Sequence, residues 1–248
     1  MRSSVLSLTT IDPLQCAISP HPCTTDAKPR ATSRFGGTEA TGQDENTYIF
    51  FTSDNGFHLG QHRLRSGKQA PYEEDIRVPL IVRGPGVDAG RVEERIVGNV
   101  DLAPTFARLA GVVAPEYVDG RSLVPLLRDD PPSEWRRAYL LQHEDSDGTD
   151  PQDPMDLDQQ VQRPGRRQDR QPGRLDITEF TGLRTRDHTY VEYVTGEREL
   201  YALRSDPDEL QNAYATADPT LLAQLSSRLA ALRQCAGASC RAADASAP

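Results

Sequence analysis

The sequence is poor in the features that mark several protein classes. Of its 248 residues only 36% are hydrophobic and 6% aromatic, and the mean hydropathy is −0.61. No apolar run approaches the ~20 residues of a membrane-spanning helix, so we expect no membrane partner. The run Val5-Leu6-Ser7-Leu8 is also too short for the apolar stretch of a secretory signal. These absences leave the cellular compartment open.

Positive charge is scarce as well. The chain has 28 Lys and Arg against 37 Asp and Glu, which gives a net charge of −9, and its pI is near 5.1. A nucleic-acid-binding protein needs a basic face, so we expect no nucleic-acid partner. A small anionic substrate stays compatible with this charge, because a few local cations and a bound metal can outweigh the global field.

Cysteine is rare and unevenly placed. The four cysteines form two close pairs, Cys16/Cys23 and Cys235/Cys240. Neither pair has the CxxC spacing of a zinc knuckle or a thioredoxin-like motif. Close pairs in an otherwise cysteine-free chain indicate short disulfide loops and an oxidising compartment.

Composition and periodicity divide the chain into four segments. Residues 1–43 are rich in Pro, Ser and Thr without periodicity, which predicts an irregular or disordered amino terminus. Residues 44–143 alternate strand and helix patterns, the rhythm of an α/β sheet. Residues 144–175 are rich in Asp, Gln, Pro and Arg and indicate a disordered insertion or linker. Residues 176–248 predict a small α+β subdomain.

Three strands are predicted in the α/β segment. Residues 48–52 form a continuous β-prone run, typical of a central strand buried on both faces. Residues 78–82 and 96–100 give the next two. A helix follows the third strand, with Asp101 as its expected cap and Gly111 near its end.

The last segment predicts a hairpin and a helix. Residues 189–194 and 199–203 are the two strands, and Thr195-Gly196-Glu197 is the turn between them. Asp218-Pro219 is typical of a helix start, with proline at the first helical position. A stripe of leucines then predicts an apolar helix face.

The chemistry-bearing motif begins where the first strand ends. Asp54 and Asn55 follow it directly, and ligands of open α/β sheets bind beyond the carboxyl ends of strands. One anionic and one neutral oxygen donor suit Ca²⁺ or Mg²⁺. Asp-Asn-Gly is also an ordinary turn sequence, so the spacing alone leaves both interpretations open.

A cluster of cationic side chains follows within fifteen residues, namely His58, His62, Arg63, Arg65 and Lys68. Beside a divalent metal, such a cluster would hold an anionic group by charge-assisted hydrogen bonds. Two histidines four apart on an acidic chain are also compatible with a solvated face, and Lys68 alone with a surface lysine.

Several ordered motifs together resemble the sulfatase family, within the alkaline-phosphatase-like superfamily. The chain resembles the family over residues 44–143 and 176–241. The matching stretches are Ser53-Asp54-Asn55-Gly56, Gly67-Lys68, Arg77-Val78-Pro79-Leu80, Gly84-Pro85-Gly86, residues 100–105, residues 119–123, Glu199-Leu200-Tyr201 and Asp206-Pro207-Asp208-Glu209. The ending at 235–241 resembles that of sulfatases of the N-acetylglucosamine-6-sulfatase type.

The resemblance implies a fold and a set of site residues. The fold would be part of the family's helix-sandwiched α/β sheet, followed by a small antiparallel sheet with a carboxyl-terminal helix. Asp54 and Asn55 would bind the active-site Ca²⁺, with Mg²⁺ as the less favoured ion, and Lys68 would contact the sulfate. His58 and His62 would lie near the sulfate-ester pocket. Cys235 and Cys240 would form a structural disulfide.

One part of the family pattern is missing from the 248 residues. Sulfatases use a formylglycine made from Cys or Ser in a Cys/Ser-x-Pro/Ala-x-Arg context as nucleophile, and no such context occurs here. The family's early pair of metal-binding aspartates is also missing, so the chain is expected to begin midway through the catalytic domain. We therefore predict no nucleophile within this sequence.

The sequence thus predicts a hydrolase of sulfate esters by family, acting on a sulfated small molecule or glycan, with this chain alone inactive. A phosphate or phosphonate ester hydrolase of the same superfamily is the second hypothesis. Many such relatives place Asp-His with transition metals where this chain has Asp54-Asn55. A non-catalytic remnant or pseudoenzyme is the third.

Overall fold

A computed structural model describes the backbone of residues 5–10 together with residues 38, 40–64, 66–128, 130–144 and 177–246. Cys16, Cys23, Arg65 and nearly all of the predicted 144–175 linker lie outside these ranges. No helix in the described part of the chain is long and apolar enough to cross a membrane.

The first sheet has four strands in the spatial order β2-β3-β1-β4. The strands are β1 (Val5–Thr10), β2 (Ile49–Thr52), β3 (Arg77–Arg83) and β4 (Val92–Gly98). Strand β1 is parallel to β3 and antiparallel to β4, and β2 is antiparallel to β3. The sheet is therefore mixed, and β3, which the Val78–Val82 run predicted, lies inside it.

Strand β1 corrects the expectation that residues 1–43 are irregular throughout. Val5–Thr10 lies between β3 and β4 and pairs with both. Its main chain thereby satisfies the hydrogen-bonding groups of two neighbouring strands that would otherwise face each other across a gap. Strand β1 pairs with strands that lie about 70 residues or more further along the chain. Such distant pairing leaves no local periodicity in the sequence, so the sequence pattern did not predict this strand.

Strand β2 is more exposed than its apolar run predicts. Among the described residues it pairs only with β3, and Phe51 is 57% exposed. The run predicted burial on both faces, whereas a central position was implied only for the family's whole sheet and stays a prediction. Strand β4 also differs from the prediction, because it ends at Gly98 and residues Asn99–Asp101 form a 3-10 helix.

Three short helices accompany this sheet: α1 (Glu73–Ile76), α2 (Leu102–Leu109) and α3 (Val124–Leu127). The core of this half joins Leu80, Val82 and Val97 of the sheet to the α3 segment, through Leu123, Leu126 and Leu127, and to Trp135. These side chains are nearly fully buried. The expectation of helices on both faces of the sheet stays a prediction.

The second sheet is an antiparallel meander in chain order. Its strands are β5 (Ala138–His143), β6 (Phe180–Thr185), β7 (His188–Tyr193) and β8 (Arg198–Ala202). The predicted β7–β8 hairpin is confirmed, with a turn in which the Gly196 amide donates to the Tyr193 carbonyl. Strand β5 pairs with β6, so the second sheet includes residues of the predicted segment 44–143, whose boundaries stay a prediction.

The carboxyl-terminal helices cover the second sheet. Helix α4 (Pro219–Gln234) begins as predicted, with the Asp218 carboxylate accepting from the Thr220 amide at 2.7 Å. The buried Leu225, Leu229 and Leu232 pack against the sheet. Helix α5 (Ala238–Ala245) follows, and the structure contains a disulfide between Cys235 and Cys240.

A buried ion network joins the two halves and corrects the predicted role of Asp101. Its carboxylate caps no α2 amide and accepts instead from the Gly98 and Arg121 amides, both at 2.8 Å. It also binds the Arg136 guanidinium through both oxygens. Arg136 in turn donates to Asp244 of α5 at 2.8 Å. A buried guanidinium offers a carboxylate stronger hydrogen bonds than peripheral amides do.

Candidate active site

The segment from Ser53 to Ile76 carries every predicted site residue outside the disulfide. Asp54 and Asn55 come directly after β2, with Asp54 exposed and Asn55 half-buried. One Asp54 carboxylate oxygen accepts from the Asn55 amide at 2.9 Å, and the Asn99 side-chain amide donates to the Asp54 carbonyl at 2.9 Å. The loop after β4 therefore holds the two predicted metal ligands at the strand end.

Gly56 is required by a close backbone approach. Its amide donates to the Asp75 carbonyl at 2.8 Å, and the next amide, of Phe57, donates to the Glu74 carbonyl at 2.9 Å. A Cβ at position 56 would lie 1.9 Å from the Glu74 carbonyl oxygen. Glycine thus lets the Asp54-Asn55 turn lie directly against the chain that enters β3.

A backbone bridge returns Lys68 to the same region. The His58 amide donates to the Gly67 carbonyl at 2.9 Å, and the Gly67 amide donates back at 3.0 Å. Lys68 follows Gly67 directly and is half-buried. The intervening residues thus form a closed loop whose two ends lie side by side.

His58 is buried beneath this bridge and bound to a carboxylate. Its Nδ1 lies 2.9 Å from both oxygens of Asp75, and the two side chains are 3% and 0% exposed. The Ala70 amide donates to the same carboxylate at 2.7 Å. Burial raises the pKa of Asp75, and the Ala70 hydrogen bond and His58 act against that rise. The pair links the start of the loop to helix α1.

His62 takes a different position, on an aromatic ring. It stacks on Tyr72 with the ring centres 3.7 Å apart and an interplanar angle of 13°. Its Nε2 lies 3.4 Å from a Glu74 carboxylate oxygen. His62 and Arg63 have φ values of 53° and 60°, a region that side-chain-bearing residues rarely adopt. The Tyr72 and Glu74 contacts accompany this unusual turn.

The second sheet holds the base of the loop through charged side chains. Arg184 of β6 donates to both oxygens of Glu73, at 3.0 and 3.2 Å. The Glu73 amide donates to the Glu209 carboxylate at 2.7 Å. Burial raises the pKa of Glu209 to about 7, against the opposing effects of Thr189 and of that amide.

A group of tyrosines surrounds Glu199 on the same side. The Tyr193 hydroxyl donates to the Glu199 carboxylate at 3.0 Å, and Tyr72 packs edge-to-face on Tyr201 with centres 6.0 Å apart. Burial raises the pKa of Glu199, while the tyrosine hydrogen bonds and His62 lower it. Tyr72 is also the ring on which His62 stacks, so this group of tyrosines supports the position of His62.

The metal site is only partly provided by the described residues. They contain no group of three or more His, Cys, Asp and Glu side chains that could hold an ion. Asp54 and Asn55 nevertheless offer adjacent oxygen donors, of the type that Ca²⁺ prefers. The donor pair therefore fits calcium as part of a coordination shell, and such a shell would need further ligands beyond these two residues.

Sequence reasoning predicted Asp54 and Asn55 as a ligand pair and missed the contacts that support their loop. Glu199 and Glu209 stood within the matched motifs and Asp75 just before one, but nothing in the linear pattern paired them with His58, Tyr72 or Glu73. Asp75 carried no distinguishing signal, because its neighbours in the sequence are also charged.

Comparison with known proteins gives consistent matches. The sulfatase family model matches residues 38–112. The N-acetylglucosamine-6-sulfatase of Homo sapiens is 38% identical over 215 residues, which cover 82% of this chain and 38% of that protein. The chain thus spans about 38% of the length of this curated relative.

Two solved structures share the fold over most of this chain. One is a protein in complex with its substrate D-glucosamine-2-N,6-O-disulfate, with a TM-score of 0.64, 26% identity, and 86% of this chain and 38% of that chain covered. The other is the phosphonate monoester hydrolase of Agrobacterium radiobacter, with a TM-score of 0.64, 27% identity, and 82% and 38% covered. The described residues therefore have the fold of the corresponding part of these enzymes.

Proposed function

Since the chain belongs to the sulfatase family, we propose that it supplies the metal- and sulfate-binding part of a sulfuric ester hydrolase that acts on sulfated sugars. One observation carries the proposal. Asp54 and Asn55 stand at a strand end, and the His58–Gly67 bridge returns Lys68 to the same loop. Oxygen ligands and a cation are thereby held on one closed segment.

Each residue has a stated role in this proposal. Asp54 and Asn55 bind Ca²⁺, which when bound neutralises the charge of the sulfate oxygens. Lys68 donates charge-assisted hydrogen bonds to the same group. His58 and Asp75 lock the loop, and His62 on Tyr72 orients the turn before Lys68. His58, Asp75 and His62 are positioning residues, because the contacts described for them are with other side chains of the protein.

The nucleophile lies outside the proposal for this chain. The 248 residues contain no Cys/Ser-x-Pro/Ala-x-Arg context, so we expect them to bind a sulfate ester without turning it over. Sulfated sugars are favoured as substrates by the names of the relatives, an N-acetylglucosamine-6-sulfatase and a protein bound to a disulfated glucosamine.

A phosphonate or phosphate ester hydrolase is the second candidate, because the phosphonate monoester hydrolase matches with the same TM-score of 0.64. Asn55 argues for the first candidate, since a neutral oxygen donor suits calcium better than the imidazole that transition metals prefer. A non-catalytic role for this chain remains the third hypothesis, which predicts no specific ligand.

Binding by the full chain tests the proposal. We expect N-acetylglucosamine 6-sulfate to bind in the presence of Ca²⁺, measured by calorimetry, and Lys68→Met to weaken it about tenfold, the loss of one charge-assisted hydrogen bond. Asp54→Ala should remove the calcium dependence. Arg108→Met, on the exposed side of α2, is the matched control.

Turnover assays decide between the candidates. The first candidate predicts no release of sulfate from the sugar or from an aryl sulfate by this chain alone. Hydrolysis of an aryl phosphate without binding of the sulfated sugar would favour the second candidate. Absence of any calcium-dependent binding would leave the non-catalytic hypothesis.

A further inference from the structure

A cleft of about 700 Å³ lies away from the loop just described. Its walls come from β4 of the first sheet, the start of β5, the β6–β7 turn of the second sheet and helix α4. None of its lining residues belongs to the 53–76 segment. The cleft is therefore a feature of the junction between the two sheets.

Arginine dominates the charge of these walls. Arg136, Arg137, Arg186 and Arg228 all line the cleft. The rim arginine, Arg186, is paired with Glu94 at 2.7 Å, and both side chains are exposed. Arg136 is held by Asp101 and Asp244, as described above. Among the described residues, no carboxylate side chain binds Arg137 or Arg228 directly.

Arg228 is buried and only partly satisfied. Its side chain is 8% exposed, and one terminal nitrogen donates to the carbonyls of Asp244 and Ser246, at 2.9 and 2.7 Å. Its Nε is buried and has no hydrogen-bond partner within the described structure. A buried donor of a charged group without an acceptor is costly, so such a group points to a missing partner.

Arg137 and Arg228 line the same cleft. Burial lowers the pKa of Arg228, Asp244 raises it, and Arg137 lowers it further. Arg137 is exposed, and its main chain is fixed by a 2.7 Å hydrogen bond from its amide to the Asp244 carbonyl. Two guanidinium groups that line one cleft favour an anion between them.

The charge of the surrounding network supports an anionic ligand. Among the described residues, the side chains of Arg121 and Arg136 bind Asp101 and Asp244, whereas Arg137 and Arg228 line the cleft without a carboxylate partner. Both carboxylates are already bound by guanidinium groups, so neither can compensate the additional cations. The acidic residues of the rim are likewise occupied by their own arginines, as Glu93 is by Arg95 at 2.9 Å.

We propose that this cleft is a second anion site, which binds a tetrahedral oxyanion of the sulfate or phosphate type between Arg137 and Arg228. The oxyanion would accept from the guanidinium groups of Arg228 and Arg137, whose planar forks match such oxygens. The open space is large enough for a monosaccharide that carries the oxyanion. This site does not depend on the proposed function. The two proposals share only the sulfated sugar, which is one source of the oxyanion.

Binding of inorganic sulfate to the full chain is the first test. We expect a saturable rise of the melting temperature in potassium sulfate relative to potassium chloride of equal ionic strength, and a matching calorimetric signal. Arg137→Gln should weaken binding at least about tenfold, because one charge-assisted contact is lost. Its side chain makes no contact that the fold requires, so the variant should fold.

The controls separate this site from the loop and identify the source of the oxyanion. Arg233→Gln, exposed on the same helix as Arg228, should leave sulfate binding unchanged, and the part of the binding that Arg137→Gln removes should persist in Lys68→Met. Parallel titrations with phosphate, N-acetylglucosamine 6-sulfate and unsulfated N-acetylglucosamine distinguish a free ion from a sulfated sugar. The cleft should discriminate against the unsulfated sugar.

Two results would overturn the proposal. The first is the absence of saturable sulfate or phosphate binding at constant ionic strength. The second is binding that Arg137→Gln leaves intact and Lys68→Met abolishes. That second outcome would assign the oxyanion to the Asp54–Lys68 loop, and the proposed function would then survive without the second site.

Discussion

The two sheets of this protein differ in how well they are covered. In the second sheet Tyr190 and the overlying Leu229 are each 1% exposed, and α4 packs along the strands. In the first sheet the edge strand β2 leaves Phe51 57% exposed, and the chemically interesting residues follow directly after that strand. The sheet that carries the candidate active site is thus the less protected one, and the other sheet holds its loop through Arg184, Glu199 and Glu209.

This difference indicates a division of labour. Loops that bind ligands are exposed and depend on a rigid scaffold for their geometry. Here the scaffold is a neighbouring sheet more than 100 residues further along the chain, as the Arg184–Glu73 and Glu209–Glu73 contacts show. Changes in the second sheet should therefore alter the loop of the first.

The largest effect is expected where the two halves are joined. Arg136→Met would leave Asp101 buried without its guanidinium and would remove one partner of Asp244. Breaking a buried pair in this way costs about 3–5 kcal/mol. Unfolding in urea should show that loss, whereas Arg137→Met, one residue further on and exposed, should change stability by less than about 0.5 kcal/mol. Equal losses in both variants would show that the network does not join the halves.

A smaller pair of effects compares the sheets directly. Leu229→Ala in the covered half should destabilise the protein by about 2–5 kcal/mol, because it opens a cavity under α4. Phe51→Ala in the open half should cost less than about 1 kcal/mol, since over half of that side chain already faces solvent. The two free energies of unfolding are compared under one set of conditions. A loss at Phe51 as large as at Leu229 would mean that β2 is covered in solution.

The smallest effect depends on pH and concerns the link between the sheets. Burial raises the pKa of Glu209 from 4.5 to about 7, so the folded protein holds this proton where the unfolded chain has lost it. Stability therefore falls as the pH rises from about 4.5 to about 7. Above that interval the carboxylate is charged in both states, and the cost of burying that charge in the folded protein applies in full.

Glu209→Gln isolates this contribution. The amide oxygen still accepts from the Glu73 amide, but position 209 no longer titrates. The difference in free energy of unfolding between variant and wild type should grow between pH 5 and pH 8, in favour of the variant. A difference that is constant over this range would contradict the raised pKa and would separate Glu209 from the pH response.

Much of the architecture was predictable wherever the signal is local. The β3 run, the β7–β8 hairpin with its Gly196 turn and the α4 helix after Asp218-Pro219 all depend on neighbouring residues, and the structure has each of them. Strand β1 was missed. It depends on which distant strands supply the hydrogen bonds, and a sequence pattern does not contain that information.

The candidate site divides in the same way. The sequence by itself determined the order of ligand types, with Asp54 and Asn55 after a strand and Lys68 after Gly67, because residue identity and strand-end position are local properties. Only the tertiary structure decided that His58 binds buried Asp75, that His62 stacks on Tyr72, and that Asp101 binds Arg136 instead of capping its helix. The physical reason is that a buried charge takes the partner that the fold brings within hydrogen-bonding distance, and residues far apart in the chain supplied that partner at each of these sites.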